Sequence, residues 1–166
     1  MPIGPLEDIQ PVIQVDTREP EVGTWSDYFT TPYVRQALPT GDFALCGCSD
    51  MIAIERKTLD DLIGCLTIGR ERFTAELRRA QHIASFYVIV EASYRDILGG
   101  NFRSQMNRKA AWESVVALSL RYRIPFLFAG DQKTAARLCE SILIRWFKEH
   151  KRAVEAAMRG ARQAAG

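Results

Sequence analysis

The sequence predicts an α/β domain, in which a central sheet is covered by helices on both faces. Short apolar segments rich in β-branched residues alternate with longer segments of helical periodicity, an order typical of this class. The segment 86–91, Phe-Tyr-Val-Ile-Val-Glu, is almost wholly apolar, as expected of a parallel strand that is buried on both faces. The chain has 166 residues, of which 47% are hydrophobic and 25% charged, enough for one domain with its own core.

Four strands are predicted in the first third of the chain. They lie at 12–16, 33–38 and 42–45, and from Met51 onward. The first strand ends before Pro20, because proline lacks the amide that a ladder requires. A short helix or turn is predicted at 25–29, and Pro39-Thr40-Gly41 predicts the turn between the second and third strands.

Helices dominate the rest of the chain. They are predicted from Asp60 or Asp61 onward, then at 70–80, at 110–121 and from 132 to at least 149, with strands at 86–91 and 124–128 between them. The first helix carries Leu62, Ile63, Leu66 and Ile68, and the third places Trp112, Val115, Val116 and Ser119 on one face. We expect a single domain over residues 1–150, followed by a tail at 151–166 that continues the last helix or frays.

Charge is distributed unevenly along the chain. Residues 1–50 hold two basic and eight acidic residues, whereas residues 51–166 hold twenty basic and twelve acidic residues. This pattern is typical of an enzyme that acts on a polyanion, although a basic excess also arises from solvated helix faces. No apolar run is long enough to span a membrane and the start does not resemble a signal peptide, which predicts a cytoplasmic, nucleoid-associated or nuclear location.

The segment from Met51 to Asp61 carries the most informative polar residues. If it begins as a strand, Glu55 and Lys57 share one face and stand about 7 Å apart, while Arg56 points to the other face. The carboxylate would help to hold a divalent cation, and the lysine would orient a water molecule and stabilise charge on a phosphate. The alternative is an ion pair where a strand emerges into solvent, since Glu-x-Lys is a common pattern.

Two more acidic residues lie beside predicted strands. Asp16 ends the first strand and Asp42 begins the third, so that both lie, like Glu55, at or near a strand end. Three such carboxylates, the last followed two residues on by Lys57, are typical of the metal-dependent phosphodiesterase core of restriction-type nucleases.

Several short motifs resemble those of XPF-type nuclease domains. They are Val15-Asp16-Thr17-Arg18-Glu19, then Gly41-Asp42, then Glu55-Arg56-Lys57 followed by Asp61, which completes the family signature Glu-Arg-Lys-x-x-x-Asp, and finally Gly69-Arg70. The resemblance implies a restriction-endonuclease-like fold, that is, a mixed central sheet flanked by helices. It also implies a metal-dependent DNA endonuclease for branched, flap or fork DNA. The helix-hairpin-helix and helicase parts that family members often carry are not recognised in this sequence, so we expect either a stand-alone form or a piece of a larger protein.

The same resemblance implies roles for individual residues. The catalytic set would be Asp16, Asp42, Glu55, Lys57 and Asp61. Mg²⁺, with Mn²⁺ as a substitute, would be held by Asp42 and Glu55, with Asp16 and Glu19 in the same acidic cluster. The predicted DNA contacts are Arg56, Arg70, Arg72, Arg103, Arg108 and Lys109. A structural role is also expected for Arg56, because it lies on the opposite face of its strand from Glu55.

Alternatives remain for several of these contacts. Arg70 lacks the glutamine that the family places four residues after its arginine, whereas Arg72 has Glu76 at that spacing, which also fits a surface ion pair. Arg108 and Lys109 begin a helix, where exposed amides and both cations would favour a bound phosphate. A mobile solvated loop is the other interpretation of the segment around them.

Two other functions fit the sequence. One is a catalytically silent DNA-binding or scaffolding partner of a nuclease complex, although such a protein has no need of mutually repelling carboxylates. The other is a different restriction-type nuclease, such as a junction resolvase. The last helix has an apolar half too broad for a surface helix, which holds Leu138, Cys139, Ile142, Leu143, Trp146 and Phe147. Either this helix is buried on two sides within the domain, or it supplies a surface for a partner protein. The resemblance to XPF-type domains, which commonly pair, implies a homodimer there.

Overall fold

A six-stranded sheet forms the centre of the protein, in the order β2-β1-β3-β4-β5-β6. The computed structural model describes residues 9–164. The strands are β1 (Ile13–Val15), β2 (Tyr33–Arg35), β3 (Phe43–Leu45), β4 (Ile52–Lys57), β5 (Ser85–Val90) and β6 (Phe126–Phe128). β3 is antiparallel to both β1 and β4, whereas β1 and β2 are parallel, as are β4, β5 and β6. The predicted mixed sheet is confirmed.

Five α-helices surround the sheet. They are α1 (Leu59–Leu66), α2 (Arg70–Ala80), α3 (Tyr94–Gly99), α4 (Arg108–Tyr122) and α5 (Gln132–Ala164), and a 3-10 helix lies at Trp25–Tyr28. α1 begins slightly earlier than predicted, because the Thr58 hydroxyl caps it by accepting a hydrogen bond from the Asp61 amide. α3 is not among the predicted helices, and a capping box of Ser93 and Asp96 sets its start. Within residues 9–164, no helix combines the length and apolar character needed to cross a membrane.

The two faces of the sheet bury separate apolar cores, and β4 supplies both. Ala53 faces the core formed with α1 to α4, whereas Ile52 and Ile54 face the core formed with the 3-10 helix and α5. This alternation follows from the two-residue period of a strand. At the end of β4 the same alternation places Glu55 and Lys57 towards α2 and Arg56 towards Trp25, as predicted.

Two of the helix faces that the sequence indicates are only partly the buried ones. α4 buries Ala111, Val115, Leu118 and Tyr122, and only Val115 belongs to the predicted set. The buried face of α4 is therefore turned about the helix axis relative to the face that the sequence indicates. The contact of α4 with α3 accounts for this difference, since Trp112 packs edge-on against Tyr94 at the rim of the core. Ile68 is fully exposed, because α1 ends at Leu66 before that residue can reach the core.

Candidate functional site

The hairpin of β3 and β4 brings Asp42 beside Glu55. Phe43 pairs with Ile54 in the antiparallel ladder, and the Asp42 amide donates to the Ile54 carbonyl at 2.8 Å. Gly41 makes the approach possible, since its φ is 85° and an added Cβ would lie 3.1 Å from the Ala53 Cβ. Asp42 and Glu55 are hereafter the carboxylate pair.

The carboxylate pair borders a cavity of about 170 Å³, whose other charged lining residues are Arg18, Glu76 and Arg79. Glu55 Oε1 accepts a hydrogen bond from Lys57 Nζ at 2.7 Å, and these two side chains are only 15% and 14% exposed. Asp42 Oδ2 accepts from the Arg56 amide at 2.8 Å. The ammonium thus neutralises Glu55, while Asp42 has only an uncharged donor.

The pKa values of Asp42, Glu55 and Lys57 reflect their burial and these different hydrogen-bond partners. Burial, and next the charge of Glu55, raise the pKa of Asp42 to about 8. Burial also raises the pKa of Glu55, although the Lys57 ammonium opposes the shift. For Lys57, burial alone would lower the pKa, but the carboxylate of Glu55 outweighs it and raises the pKa above its ordinary value. The carboxylate pair therefore has one member, Glu55, that is ion-paired with Lys57, and one, Asp42, whose hydrogen-bond donor is uncharged.

The donor chemistry of the carboxylate pair fits a small divalent cation. Mg²⁺ is usually bound through one or two carboxylates and keeps several waters. Among residues 9–164, no group of three or more acidic, histidine or cysteine side chains is arranged to hold a metal ion. The carboxylate pair fits a cation bound by two carboxylates and water, and a larger cluster that includes Asp16 and Glu19 stays a prediction.

Asp16 lies near the site, but its carboxylate is occupied by protein groups. It is 1% exposed and accepts hydrogen bonds from the Leu38 amide at 2.8 Å and from the amide and Nε of Arg18. Burial opposes its ionisation, yet the Leu38 and Arg18 bonds prevail and lower its pKa. This arrangement fixes the loop before Asp42 and leaves Asp16 little capacity to bind a cation.

Glu19 faces the opposite side of β4 from Lys57. Its Oε2 accepts from Arg56 Nη1 at 3.2 Å and from the Thr24 hydroxyl at 3.3 Å. Arg56 also donates from Nε to Glu91 Oε1 at 2.7 Å, and its guanidinium lies 5.9 Å from the centre of the Trp25 ring. Both side-chain partners of Glu19 lie on this side of the strand, yet its charge also acts on Asp42 and Glu55. Arg56 is 17% exposed. The metal role of Glu19 and the DNA role of Arg56 stay predictions.

Asp61 lies in the exposed first turn of α1. In the described part of the chain, no hydrogen bond or ion pair joins its carboxylate to Asp42, Glu55 or Lys57. Its amide donates to the capping hydroxyl of Thr58. The structure thus places Asp61 beside the site rather than within the carboxylate pair.

The predicted DNA contacts other than Arg56 are exposed. Arg70 and Arg72 lie on α2, and Arg72 approaches Glu76 only loosely, at 4.0 Å. Arg103 pairs with Asp60 at 3.4 Å yet is 95% exposed, and Arg108 and Lys109 form the first turn of α4 after the Asn107 cap. These side chains are free to meet a phosphate backbone.

Several residues with contacts at or behind the site lie outside the predicted set. Arg18 and Glu76 line the cavity, and the charge of Glu76 acts on Glu55. Glu91 and Trp25 contact Arg56 from behind β4. Arg18 and Glu76 belong to motifs that the sequence already displays, whereas nothing local in the sequence pairs Trp25 with Glu91.

A mixed sheet that presents two carboxylates and a lysine at neighbouring strand ends defines a restriction-endonuclease-like domain. The family is specified by the sequence match. The family model for the ERCC4 domain matches residues 15–155, and the chain therefore belongs to the ERCC4 domain family.

Solved structures support this assignment. The chain is 28% identical to XPF from Aeropyrum pernix, with a TM-score of 0.65 over 82% of this chain and 61% of that one. It is also 28% identical to XPF from Aeropyrum pernix in complex with DNA, with a TM-score of 0.65 over 84% of this chain and 66% of that one. This chain thus spans about three fifths to two thirds of these relatives. No curated protein sequence matches it. The predicted resemblance to XPF-type nuclease domains is confirmed.

Proposed function

We propose that this protein is a metal-dependent DNA endonuclease that hydrolyses phosphodiester bonds. The observation that carries the proposal is the carboxylate pair, which is desolvated and held beside a charged lysine in an open cavity. A buried carboxylate without a charged partner is costly unless a cation offsets it. The match to an XPF structure solved with DNA supports a nucleic acid as the substrate.

Asp42 and Glu55 would hold Mg²⁺, or Mn²⁺ in its place. When bound, this cation supplies Lewis-acid polarisation of a phosphate oxygen and a bound water of lowered pKa. Lys57 stays protonated because Glu55 raises its pKa, so its role would be that of a cation that orients water and stabilises charge on the phosphate. A protonated lysine does not act as the general base.

Branched, flap or fork DNA is the substrate that we propose. The exposed cations of α2 and of the start of α4 would contact the backbone on either side of a scissile phosphate. Cleavage of DNA would place the protein in the nucleoid or the nucleus. Arg56 is omitted from the proposed contacts, because its guanidinium is bonded to two carboxylates.

The test is nicking of labelled 3′-flap, fork, four-way junction and plain duplex DNA, with Mg²⁺, Mn²⁺ or EDTA. Lys57→Ala should lower the cleavage rate by about a hundredfold or more while DNA binding is retained. Lys148→Ala, which changes an exposed lysine of α5, is the matched control and should cleave like the wild type. Metal-dependent DNA binding without cleavage would instead favour a silent scaffold, and equal cleavage by Lys57→Ala would refute the assignment.

We also propose that α5 mediates a homodimer. Trp146 and Phe147 are only partly buried, and Val154 and Met158 further along the helix are 48% and 47% exposed. Large apolar side chains in a continuous exposed face are typical of association surfaces. A mass by light scattering that stays monomeric at all concentrations would reject the dimer.

A further inference from the structure

A second charged cluster lies on the face of β4 that the proposed chemistry does not use. It consists of Arg56, Glu19, Glu91 and Trp25, hereafter the Arg56 cluster. Glu91 Oε1 accepts from both Arg56 Nε, at 2.7 Å, and Trp25 Nε1, while Glu19 accepts from Arg56 Nη1 at 3.2 Å. Both carboxylates are 11% exposed, so these bonds are shielded from water.

The backbone of Arg56 connects this cluster to the carboxylate pair. Its side chain points away from the cavity, but its amide donates to Asp42 Oδ2 at 2.8 Å. This amide is the hydrogen-bond donor that orients the Asp42 carboxylate, whereas the lysine ammonium bonds to Glu55. The orientation of Asp42 therefore depends on where the chain is held at residue 56.

Glu91 holds this part of the chain at two points. It directly follows β5, and its amide donates to the Lys57 carbonyl at 2.9 Å while its side chain bonds to the Arg56 guanidinium. Trp25 is wholly buried and stacks on Phe43, with ring centres 5.1 Å apart, so the indole donor that Glu91 accepts is itself fixed. The buried indole of Trp25 thus holds the carboxylate of Glu91, and this carboxylate holds the guanidinium of Arg56. The backbone amide of the same arginine donates to Asp42.

We infer that Glu91 and Trp25 are positioning residues of the site, which act through Arg56 to hold its amide against Asp42. The inference rests on the proposed endonuclease function for its kinetic consequence, but its structural part is independent of that function. Groups that orient a metal ligand through a second bond commonly change activity about 10- to 100-fold when removed. A purely structural role would change stability and leave the orientation of Asp42 intact.

The test compares three variants of the full chain. Glu91→Gln removes the charge that Arg56 and Trp25 share, and Trp25→Phe keeps a ring on Phe43 but removes the donor. Glu140→Gln is the matched control: Glu140 is a half-buried carboxylate that accepts from the amides of Thr30 and Thr31, and no bond in the described part of the chain joins it to the Arg56 cluster. For each variant, three quantities are measured: the melting temperature, the single-turnover cleavage rate at saturating DNA, and the exchange rate of the Arg56 amide by NMR without metal.

Glu91→Gln should lower the cleavage rate about 10- to 100-fold with unchanged DNA affinity. Trp25→Phe should lower it by a smaller factor. In both variants the Arg56 amide should exchange faster relative to the amide of Ile54, whereas Glu140→Gln should change only the melting temperature.

The inference is overturned if the Arg56 amide exchanges in Glu91→Gln as it does in the wild type. It is also overturned if Glu91→Gln loses no more activity than Glu140→Gln at an equal loss of melting temperature. If Glu91→Gln does not fold, the same comparisons apply to Trp25→Phe. A wild type that cleaves no DNA would refute the proposed function, and the amide exchange would still decide the positioning role.

Discussion

The two faces at the end of β4 both carry carboxylates and a cation, but the cation bonds to its carboxylates differently on each face. On each face one cation of β4 is bonded to a carboxylate: Lys57 to Glu55 of the carboxylate pair, and Arg56 to Glu19 and Glu91 of the Arg56 cluster. The planar guanidinium bonds to both of its carboxylates, whereas the ammonium bonds only to Glu55. The arginine thus completes one cluster as a structural unit, and the lysine leaves Asp42 available for a further cation.

The largest expected effect is the loss of the completed cluster. Arg56→Ala leaves Glu19 and Glu91 buried without their cation, and removal of one member of a buried ion pair costs about 3–5 kcal/mol. Urea unfolding measures this free energy. Arg145→Ala is the control, since its pair with Glu149 is exposed and such pairs contribute about 0.2–1 kcal/mol. Equal costs for the two variants would show that the Arg56 cluster contributes no more than a surface pair.

Asp42→Asn should have the next largest effect. It should lower the cleavage activity but raise the stability of the metal-free protein. Loss of the carboxylate should lower cleavage by about a hundredfold or more. The metal-free protein should become more stable at neutral pH, because folding raises the pKa of Asp42 to about 8 and must therefore either bury its charge or take up a proton, a cost that asparagine does not carry. The two measurements are nicking assays and thermal unfolding in EDTA. A variant that is both inactive and less stable would contradict this cost of burying Asp42.

The same substitution should change how stability depends on pH. The ordinary pKa of 3.8 for Asp42 rises to about 8 in the folded state. The folded protein therefore binds more protons than the unfolded chain between these values, and its unfolding free energy should fall as pH rises through them. In EDTA, Asp42→Asn should flatten this part of the stability curve. A wild-type curve without that fall would show that burial does not raise the pKa of Asp42.

A smaller effect is expected where the hairpin approaches the site. Gly41→Ala requires a side chain at φ 85° and places its Cβ 3.1 Å from the Ala53 Cβ. Such strain costs about 1–3 kcal/mol and should displace Asp42, with some loss of cleavage. Gly47→Ala is the matched control, since its φ of 80° is similar but its Cβ would meet open space. Chemical denaturation of both variants separates the backbone strain from the steric contact.

The smallest expected effect concerns DNA binding rather than the β4 faces. Arg108 and Lys109 changed together to Glu should weaken binding and flatten its dependence on salt by about one unit of slope for each lost phosphate contact. Lys151 and Arg152 changed to Glu, on the distal part of α5, form the control pair. Fluorescence anisotropy over a range of salt concentrations measures both slopes. The same slope for both double variants would remove the start of α4 from the DNA contacts.

Short-range sequence patterns predicted those features of the fold and the site that depend on residues close together in the chain. The two-residue period of β4 was enough to separate Glu55 and Lys57 from Arg56, and the apolar run of β5 indicated a parallel central strand. The confirmed helices α1, α2 and α5 were long enough for their periodicity to be visible, whereas the face indicated for α4 shares only Val115 with the buried one. α3 has six residues, too few for a periodic signal to be distinguished from a polar loop.

The other features of the site depend on contacts between segments that are far apart in the sequence, and these contacts could not be predicted. Asp16 looked like a metal ligand, but the amide of Leu38 reaches it from a loop whose path no local pattern specifies. Glu19 was grouped with the acidic cluster for its position in the chain, yet it bonds to Arg56 on the other face of β4. The pairing of Trp25 with Glu91 depends on the packing of the 3-10 helix under α5, which a single sequence does not display.

The span of these contacts along the chain has a consequence for folding. The bond from Arg56 to Asp42 closes a loop of 14 residues, whereas the bond from Trp25 to Glu91 closes one of 66. Short loops cost less entropy to close, so the β3–β4 hairpin is expected to form before the 3-10 helix docks. The carboxylates would then meet early in folding, and the site would gain its final rigidity only when the most distant partners close behind it.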